Sequence, residues 1–175
     1  MAPTSYQSAP RADAGKDRTF SQSIATNTPS DSATVGKLVS SKGGNRVFAI
    51  RPDDTLSDAV KMLRDKRVGA LVVTEADGSL AGILSERDIV RKLAETPGQT
   101  LPQTVRENMT PNVITCEASD PLVKVLRLMI DGKFRHMPVM EDGKPSGMVT
   151  IGDVVHFRLN ELEHEALQLK QMIVG

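Results

Sequence analysis

The chain has 175 residues, 39% of them hydrophobic, which is enough for one compact domain or two small intertwined ones with a real core. Lys plus Arg and Asp plus Glu both number 22, so net charge gives no pull toward a phosphate polymer or a membrane surface, and any anion site must be local. The lone Cys116 excludes an intrachain disulfide, no apolar run reaches the roughly 18 residues of a membrane span, and no secretory signal opens the sequence, so a reducing cytoplasm is the expected compartment.

Residues 1–33 are mainly Ser, Thr, Ala and Pro without an apolar period, the pattern of a flexible tail. Arg11, Lys16 and Arg18 suit an organelle transit peptide, but Asp13, Asp17 and Asp31 do not, since such peptides avoid acids. A first helix is expected from Thr34 to Val39, followed by a short strand at "VFAI" (Val47 to Ile50). Asp54 is placed to cap the next helix, with Thr55 and Asp58 in its first turn and Leu56, Ala59, Val60 and Leu63 as its apolar stripe. "GALVV" and "SLAGIL" then read as strands joined by a hairpin at "ADG", and a helix opens at Ser85.

The same order recurs. "TVRENM" begins with Thr104 and Glu107 as a capping box, "VITC" is a strand, and Asp120 is placed to cap a helix with Pro121 at its first position and Leu122, Val125, Leu126 and Met129 on one face. "HMPVM" and "KPSGMV" flank "EDG", and a last helix opens at Thr150. Laid on itself, the chain repeats with a shift of 66 residues, which becomes 65 after a one-residue gap near Ala76. Asp54 falls on Asp120, Val73 on Val139, Gly82 on Gly147 and Asp88 on Asp153. Two copies of this length make a paired module, not an array. The expected class is α/β (α+β), with two β-α-β-β-α repeats at 34–100 and 101–159, a tail at 1–33 and a helical extension at 160–175.

Each copy carries one version of a skeleton, "GILSERDIVR" and "GMVTIGDVVH". Ser85 and Thr150 sit where a strand becomes a helix, and Asp88 and Asp153 lie in the first turn. The plain reading is a capping box, like Thr55 with Asp58. The functional reading is a ribose and phosphate site. Gly82 and Gly147 let a ligand or a neighbouring backbone come close, helix-start amides favour phosphate, and aspartate is short enough to leave its carboxylate free for a ribose diol. Recurrence in both copies favours the second reading. The copies also differ. Arg87, with Gly152 as its counterpart, can reach phosphate or pair with Glu86. Phe134, Arg135 and His136 replace Val68, Gly69 and Ala70; a guanidinium fork fits phosphate, and the histidine serves the same end or is satisfied by local backbone.

From about Thr34 to Leu159, this order and these motifs resemble the CBS domain, named after cystathionine β-synthase, as a tandem pair of the stand-alone bacterial type. "VRENMTPNVITC" is similar to the family's lead-in to a second copy, and "FRHMPVMEDGKPSGMVTIGDVV" and "GILSERDIV" to its strand-strand-helix half. The resemblance implies two intertwined repeats forming a disc, a CBS pair. Its clefts would bind AMP, ADP, ATP, NAD or S-adenosylmethionine and regulate a separate effector protein. Arg135 and His136, ahead of Pro138, resemble the basic pair that the γ subunit of AMP-activated protein kinase uses on nucleotide phosphates. The nucleotide-binding set is thus Ser85, Arg87, Asp88, Arg135, His136, Pro138, Thr150 and Asp153.

Other chemistry has little footing. His136, His156, His164 and Cys116 lack metal-site spacing, "ILSER" is no nucleophile elbow, and "GKPSG" is no phosphate loop, so a non-enzyme without metal is expected. Zero net charge and 3% aromatics disfavour nucleic acid. After Asp153, apolar residues at Val155, Leu159, Leu162, Ala166, Leu169 and Ile173 are spaced 4, 3, 4, 3, 4, a heptad seam that packs on the chain's own body or, the favoured reading, on a homodimer partner. The alternative to a sensor is a structural homodimerisation module with vestigial clefts.

Overall fold

Thr34 accepts from the Lys37 amide at 3.4 Å and so starts α1 (Val35–Ser41), the first helix of a computed structural model that describes residues 33–43 and 46–174. The expected tail lies outside the described residues except for Ala33. There follow β1 (Ala49–Ile50), α2 (Leu56–Lys66), β2 (Ala70–Thr74), β3 (Leu80–Ser85) and α3 (Glu86–Glu95). The second copy comprises α4 (Val105–Asn108), β4 (Cys116–Glu117), α5 (Leu122–Gly132), β5 (His136–Glu141), β6 (Lys144–Thr150) and α6 (Ile151–Val174).

Each copy builds a three-stranded sheet, β1-β2-β3 or β4-β5-β6, whose first pair is parallel and second antiparallel. The repeat extends to its irregularities. Val73 pairs with Gly82 and Val139 with Gly147, and both ladders slip immediately afterwards. The β5–β6 turn is closed by Asp142 and Gly143 at φ 49 and 75, the two positive angles that a tight Asp-Gly hairpin needs. The β2–β3 turn carries one more residue, so Glu75 donates to the Ser79 carbonyl at 3.0 Å and only Gly78 turns left-handed. That residue is the gap seen in the repeat alignment.

The copies exchange their lead-ins. Ala33, Val35 and Leu38 are buried with Cys116, Leu122, Val125, Met129, Met137, Val139, Val149 and Val154, so α1 completes the second core. Val105 of α4 is buried with Ile50, Leu56, Ala59, Leu63, Leu71, Val73, Leu84 and Ile89, so α4 completes the first. Backbone hydrogen bonds repeat the exchange residue for residue. Val35 donates to Asp120 O as Val105 does to Asp54 O, Gly36 to Ala118 O as Arg106 to Pro52 O, and Leu122 to Ala33 O as Leu56 to Gln103 O. A repeat stripped of the other's lead-in would expose a fully buried Val or Leu and orphan three amide pairings, which is why the pair folds as one intertwined body.

Local chemistry differs from expectation at four points. The opening strand of each copy is two residues long rather than four: Ala49 and Ile50 pair with Val72 and Val73, with Phe48 contributing only its carbonyl, which accepts from Val72 N at 3.0 Å, and Cys116 and Glu117 pair with Val139 and Met140. Asp54 does not cap α2; Thr55 does, accepting from Asp58 N at 3.2 Å, while Asp54 accepts from Arg51 N at 2.9 Å and tightens the preceding turn. Asp120 does the same with Glu117 N at 2.9 Å, and Pro121 stands at the cap position. The final helix is continuous through residue 160, with Leu159, Leu162, Leu169 and Ile173 exposed, so its seam does not pack on the chain's own body.

Candidate functional site

The strand-to-helix junctions bring two constellations together, one per copy. At the first, Asp88 Oδ2 accepts from Ser85 N at 2.9 Å and from Ser85 Oγ at 2.6 Å, and Oδ1 is left without a hydrogen bond among the described residues. At the second, Asp153 Oδ2 accepts from Thr150 N at 2.9 Å while Asp153 N donates to Thr150 Oγ1 at 3.1 Å. Both are capping boxes, so the plain structural role is present at each. The first amide of each helix is also taken. Glu86 N donates to Gly69 O and Ile151 N to Arg135 O, both at 3.0 Å, so fewer helix-start amides face the clefts than the sequence suggested.

Around the first constellation lies a cavity of about 540 Å³. Its walls come from three places: Ser85, Glu86, Arg87, Asp88 and Arg91 at the β3–α3 junction, Thr110 and Asn112 to Ile114 on the connector ahead of β4, and Lys133 to His136 entering β5. Arg135 and His136 therefore stand with the first copy's aspartate, across the repeat boundary. The exchanged lead-in makes this possible. Ile83 and Thr110 trade backbone hydrogen bonds at 3.0 and 2.9 Å, and a Cβ added to Gly82 would lie 2.6 Å from Thr110 O and 2.9 Å from Met109 Sδ. Gly82 is thus small for the sake of a crossing backbone, one of the two uses its position allowed. Arg87, Arg91, Lys133 and Arg135 make no ion pair among the described residues, and the expected alternative of Arg87 with Glu86 is not formed.

His136 is half-buried against Gly69: a Cβ there would meet its Nε2 at 3.3 Å and Glu86 Oε2 at 3.9 Å. Burial pushes its pKa below the ordinary 6.5. The charges of Asp153 and Glu86 pull it upward, and those of Arg135 and Arg87 push it down. The ring thus feels Asp153 of the second junction and Glu86 and Arg87 of the first.

The second junction differs. Lys42, immediately beyond α1, places Nζ 2.6 Å from Asp153 Oδ2. Burial raises the Asp153 pKa, but the Lys42 ammonium and the Thr150 amide and hydroxyl outweigh it and hold the carboxyl below its usual range. The adjoining groove, about 620 Å³ between α1 and α6, is lined by Ser41, Lys42, Asp153, His156, Phe157 and His164 among others, and includes neither Arg135 nor His136. Pro138, expected in the nucleotide set, lines neither cavity. It is buried within β5 opposite Met148, and its carbonyl accepts from Cys116 Sγ at 3.7 Å. Residues not anticipated from sequence are Lys42, Arg91, Thr110 and Lys133. Only the helical spacing from Arg87 to Arg91 gave a signal for any of them. Among the described residues no group of His, Cys, Asp or Glu is arranged to hold a metal ion.

The family model of the CBS domain matches residues 39–95 and 104–160. The mitochondrial CBS domain-containing protein CBSX3 of Arabidopsis thaliana is 35% identical over 153 residues, spanning 83% of this chain and 74% of that protein. Among solved structures, the CBS-domain protein ATU1752 of Agrobacterium tumefaciens is 38% identical, covering 72% of this chain and 99% of that one, with a TM-score of 0.69. CBSX2, solved in complex with AMP, is 30% identical over 73% of this chain and 97% of that one, with a TM-score of 0.60.

Proposed function

The chain belongs to the CBS-domain family as a tandem pair, and from that premise we propose that it is a regulatory module that senses an adenine nucleotide in its first cleft and signals to a separate effector protein. The observation that carries this reading is the charge around one cavity. Arg87, Arg91, Lys133 and Arg135 line it without an ion pair among the described residues and outnumber the Glu86 carboxylate in the same wall, and beside them Asp88 keeps one oxygen unbonded. Phosphate suits the first group, and a ribose hydroxyl suits the second. The volume of about 540 Å³ is that of a small-molecule site. AMP is the first ligand to try because CBSX2, similar over most of this chain, was solved with it; ADP, ATP and NAD belong to the same class.

In this reading Ser85 orients Asp88 for the ribose, Arg135 and Arg87 take the phosphate, and His136 gains a proton as the phosphate arrives. Thr150 and Asp153 form the equivalent grip at the second junction, where Lys42 neutralises the carboxylate through the Oδ2 that Thr150 N also bonds. Pro138 supports the sheet and touches no ligand. The chain binds and does no chemistry, acts as a homodimer, and works in a reducing cytoplasm, where the lone buried Cys116 stays a thiol. No described helix is long and apolar enough to cross a membrane.

Calorimetric titration of AMP and adenosine into wild type and Arg135→Ala tests the proposal. A charge-assisted hydrogen bond worth about 1.5–3 kcal/mol predicts AMP binding roughly 10- to 150-fold tighter than adenosine, with most of that preference lost in the variant. Equal affinities in wild type would remove the phosphate role. An absence of heat with every adenine nucleotide would favour the structural homodimer with vestigial clefts, a reading that the Lys42–Asp153 contact supports for the second junction alone.

A further inference from the structure

The α6 helix has two faces with different fates. Ile151, Val154 and Phe157 turn into the second core, and Arg158 and Glu161, paired at 2.8 Å, continue that face half-buried. Val155, Leu159, Leu162, Leu169 and Ile173 lie about 90° around the helix from it, each roughly half or more exposed. This second stripe runs from beside the module to the end of the described helix, so the module itself cannot cover it. Its 4-3-4-3-4 spacing is that of a two-stranded seam.

We propose that the occupant of this seam is α6 of a second copy, lying parallel to the first. Charge complementarity selects this occupant. With Leu159, Ala166 and Ile173 at heptad a and Val155, Leu162 and Leu169 at d, the flanking e positions are His156, Glu163 and Lys170, and the g positions are Arg158, Glu165 and Met172. A parallel pair sets each g against the next e of the other helix, which joins Arg158 to Glu163 and Glu165 to Lys170. An antiparallel pair with the seams fully overlapped sets e against e and g against g, which brings Glu163 onto Glu163 and Glu165 onto Glu165. Arg158 already bonds Glu161 in its own helix, and Glu163 joins that pair across the interface. Glu163, Glu165 and Lys170 make no ion pair among the described residues, so the parallel arrangement supplies each with one. Leu at d and Ile at the last a also suit a parallel dimer. The consequence is that second copies sit side by side and first copies lie apart, leaving the cleft around Asp88 away from the α6 interface.

The inference does not depend on the nucleotide reading, and it is tested without nucleotide. Sedimentation equilibrium of the full chain should give a dimer, and Leu162→Ser with Leu169→Ser should raise its dissociation midpoint about 100-fold or more. The circular dichroism should be nearly unchanged, because both side chains are exposed. Leu162→Cys should then cross-link to itself on mild oxidation, since parallel d positions meet, whereas an antiparallel pair would cross-link Leu162→Cys to Ala166→Cys in a mixture. Cys116 stays silent, being buried with its thiol pKa pushed up to about 12. A monomeric wild type, a dimer indifferent to the Ser pair, or cross-linking only in the mixture would each overturn the proposal. Lys170→Glu should weaken the dimer, and adding Glu165→Lys should restore it. Failure of that rescue would also count against the parallel pairing.

Discussion

The two junctions share a motif and differ in what surrounds it. Asp88 is held by Ser85 alone and shares its cavity with Glu86 and with four cationic side chains that make no ion pair among the described residues, whereas Asp153 carries Lys42 as a counter-ion beside a groove that includes Glu161 and Glu165. The cause lies in the lead-ins, outside the motif. After α4 ends at Asn108 the chain straightens, and Thr110 pairs with Ile83 along the first cleft. The equivalent helix α1 runs seven residues to Ser41 and delivers Lys42 onto Asp153. The motif therefore recurs at both junctions, and the segment borrowed from the other copy decides which charges surround it.

Disturbing the borrowed segment should have the largest effect. Gly82→Ala would force its methyl against the Thr110 carbonyl, and since neither backbone can yield without losing the Ile83–Thr110 bonds, a loss of about 2–4 kcal/mol is expected by denaturant unfolding. A change below about 0.5 kcal/mol would mean that the crossing is slack.

Removing the counter-ion should sharpen the difference from the other side. The Lys42–Asp153 pair is part-exposed, so Lys42→Met should alter stability by no more than about 1 kcal/mol. It should also free Asp153, so that a second, weaker equivalent of adenosine appears in titration calorimetry. An unchanged stoichiometry would show that something other than Lys42 closes that junction. Asp153, with its carboxyl held low, contributes stability that is present above pH 3.8 and lost as pH falls below it, and Lys42→Met should shrink that loss.

The smallest effect concerns His136, which feels charges of both junctions. Because its folded pKa is depressed, the unfolded chain binds this proton at higher pH, so the contribution to stability is full above 6.5 and is lost as pH falls through the folded value. His136→Gln should flatten the acid limb of the stability profile. In ligand binding the sign reverses. A phosphate favours the imidazolium, so AMP affinity should fall as pH rises between the empty-cleft value, below 6.5, and the occupied one. A slope that persists in His136→Gln would belong to the phosphate's own ionisation near pH 6.

Much of this was legible in the sequence because it is local. Strand order, both Asp-Gly turns and the aspartate motif follow from period and turn chemistry, and the repeat located its own gap. Caps were less so. Asp54 and Thr55 are adjacent and both competent, and only the geometry of the turn at Arg51 assigns the cap to Thr55. The candidate site offers its residues one by one in the sequence but not as a set. Arg135 and His136 belong with Asp88, and no local pattern says so, because the pairing comes from two copies meeting face to face. Lys42, flanked by serine and glycine, has no periodicity to announce that it ends on Asp153.

If the first cleft is the principal ligand site, calorimetric titration of AMP into Asp88→Ala and Asp153→Ala side by side should separate the two junctions. Loss of a charged acceptor worth about 1.5–3 kcal/mol should weaken the tight site roughly 10- to 150-fold in Asp88→Ala, while Asp153→Ala should leave that site within about threefold of wild type. The reverse order, with Asp153→Ala abolishing tight binding and Asp88→Ala sparing it, would contradict the account.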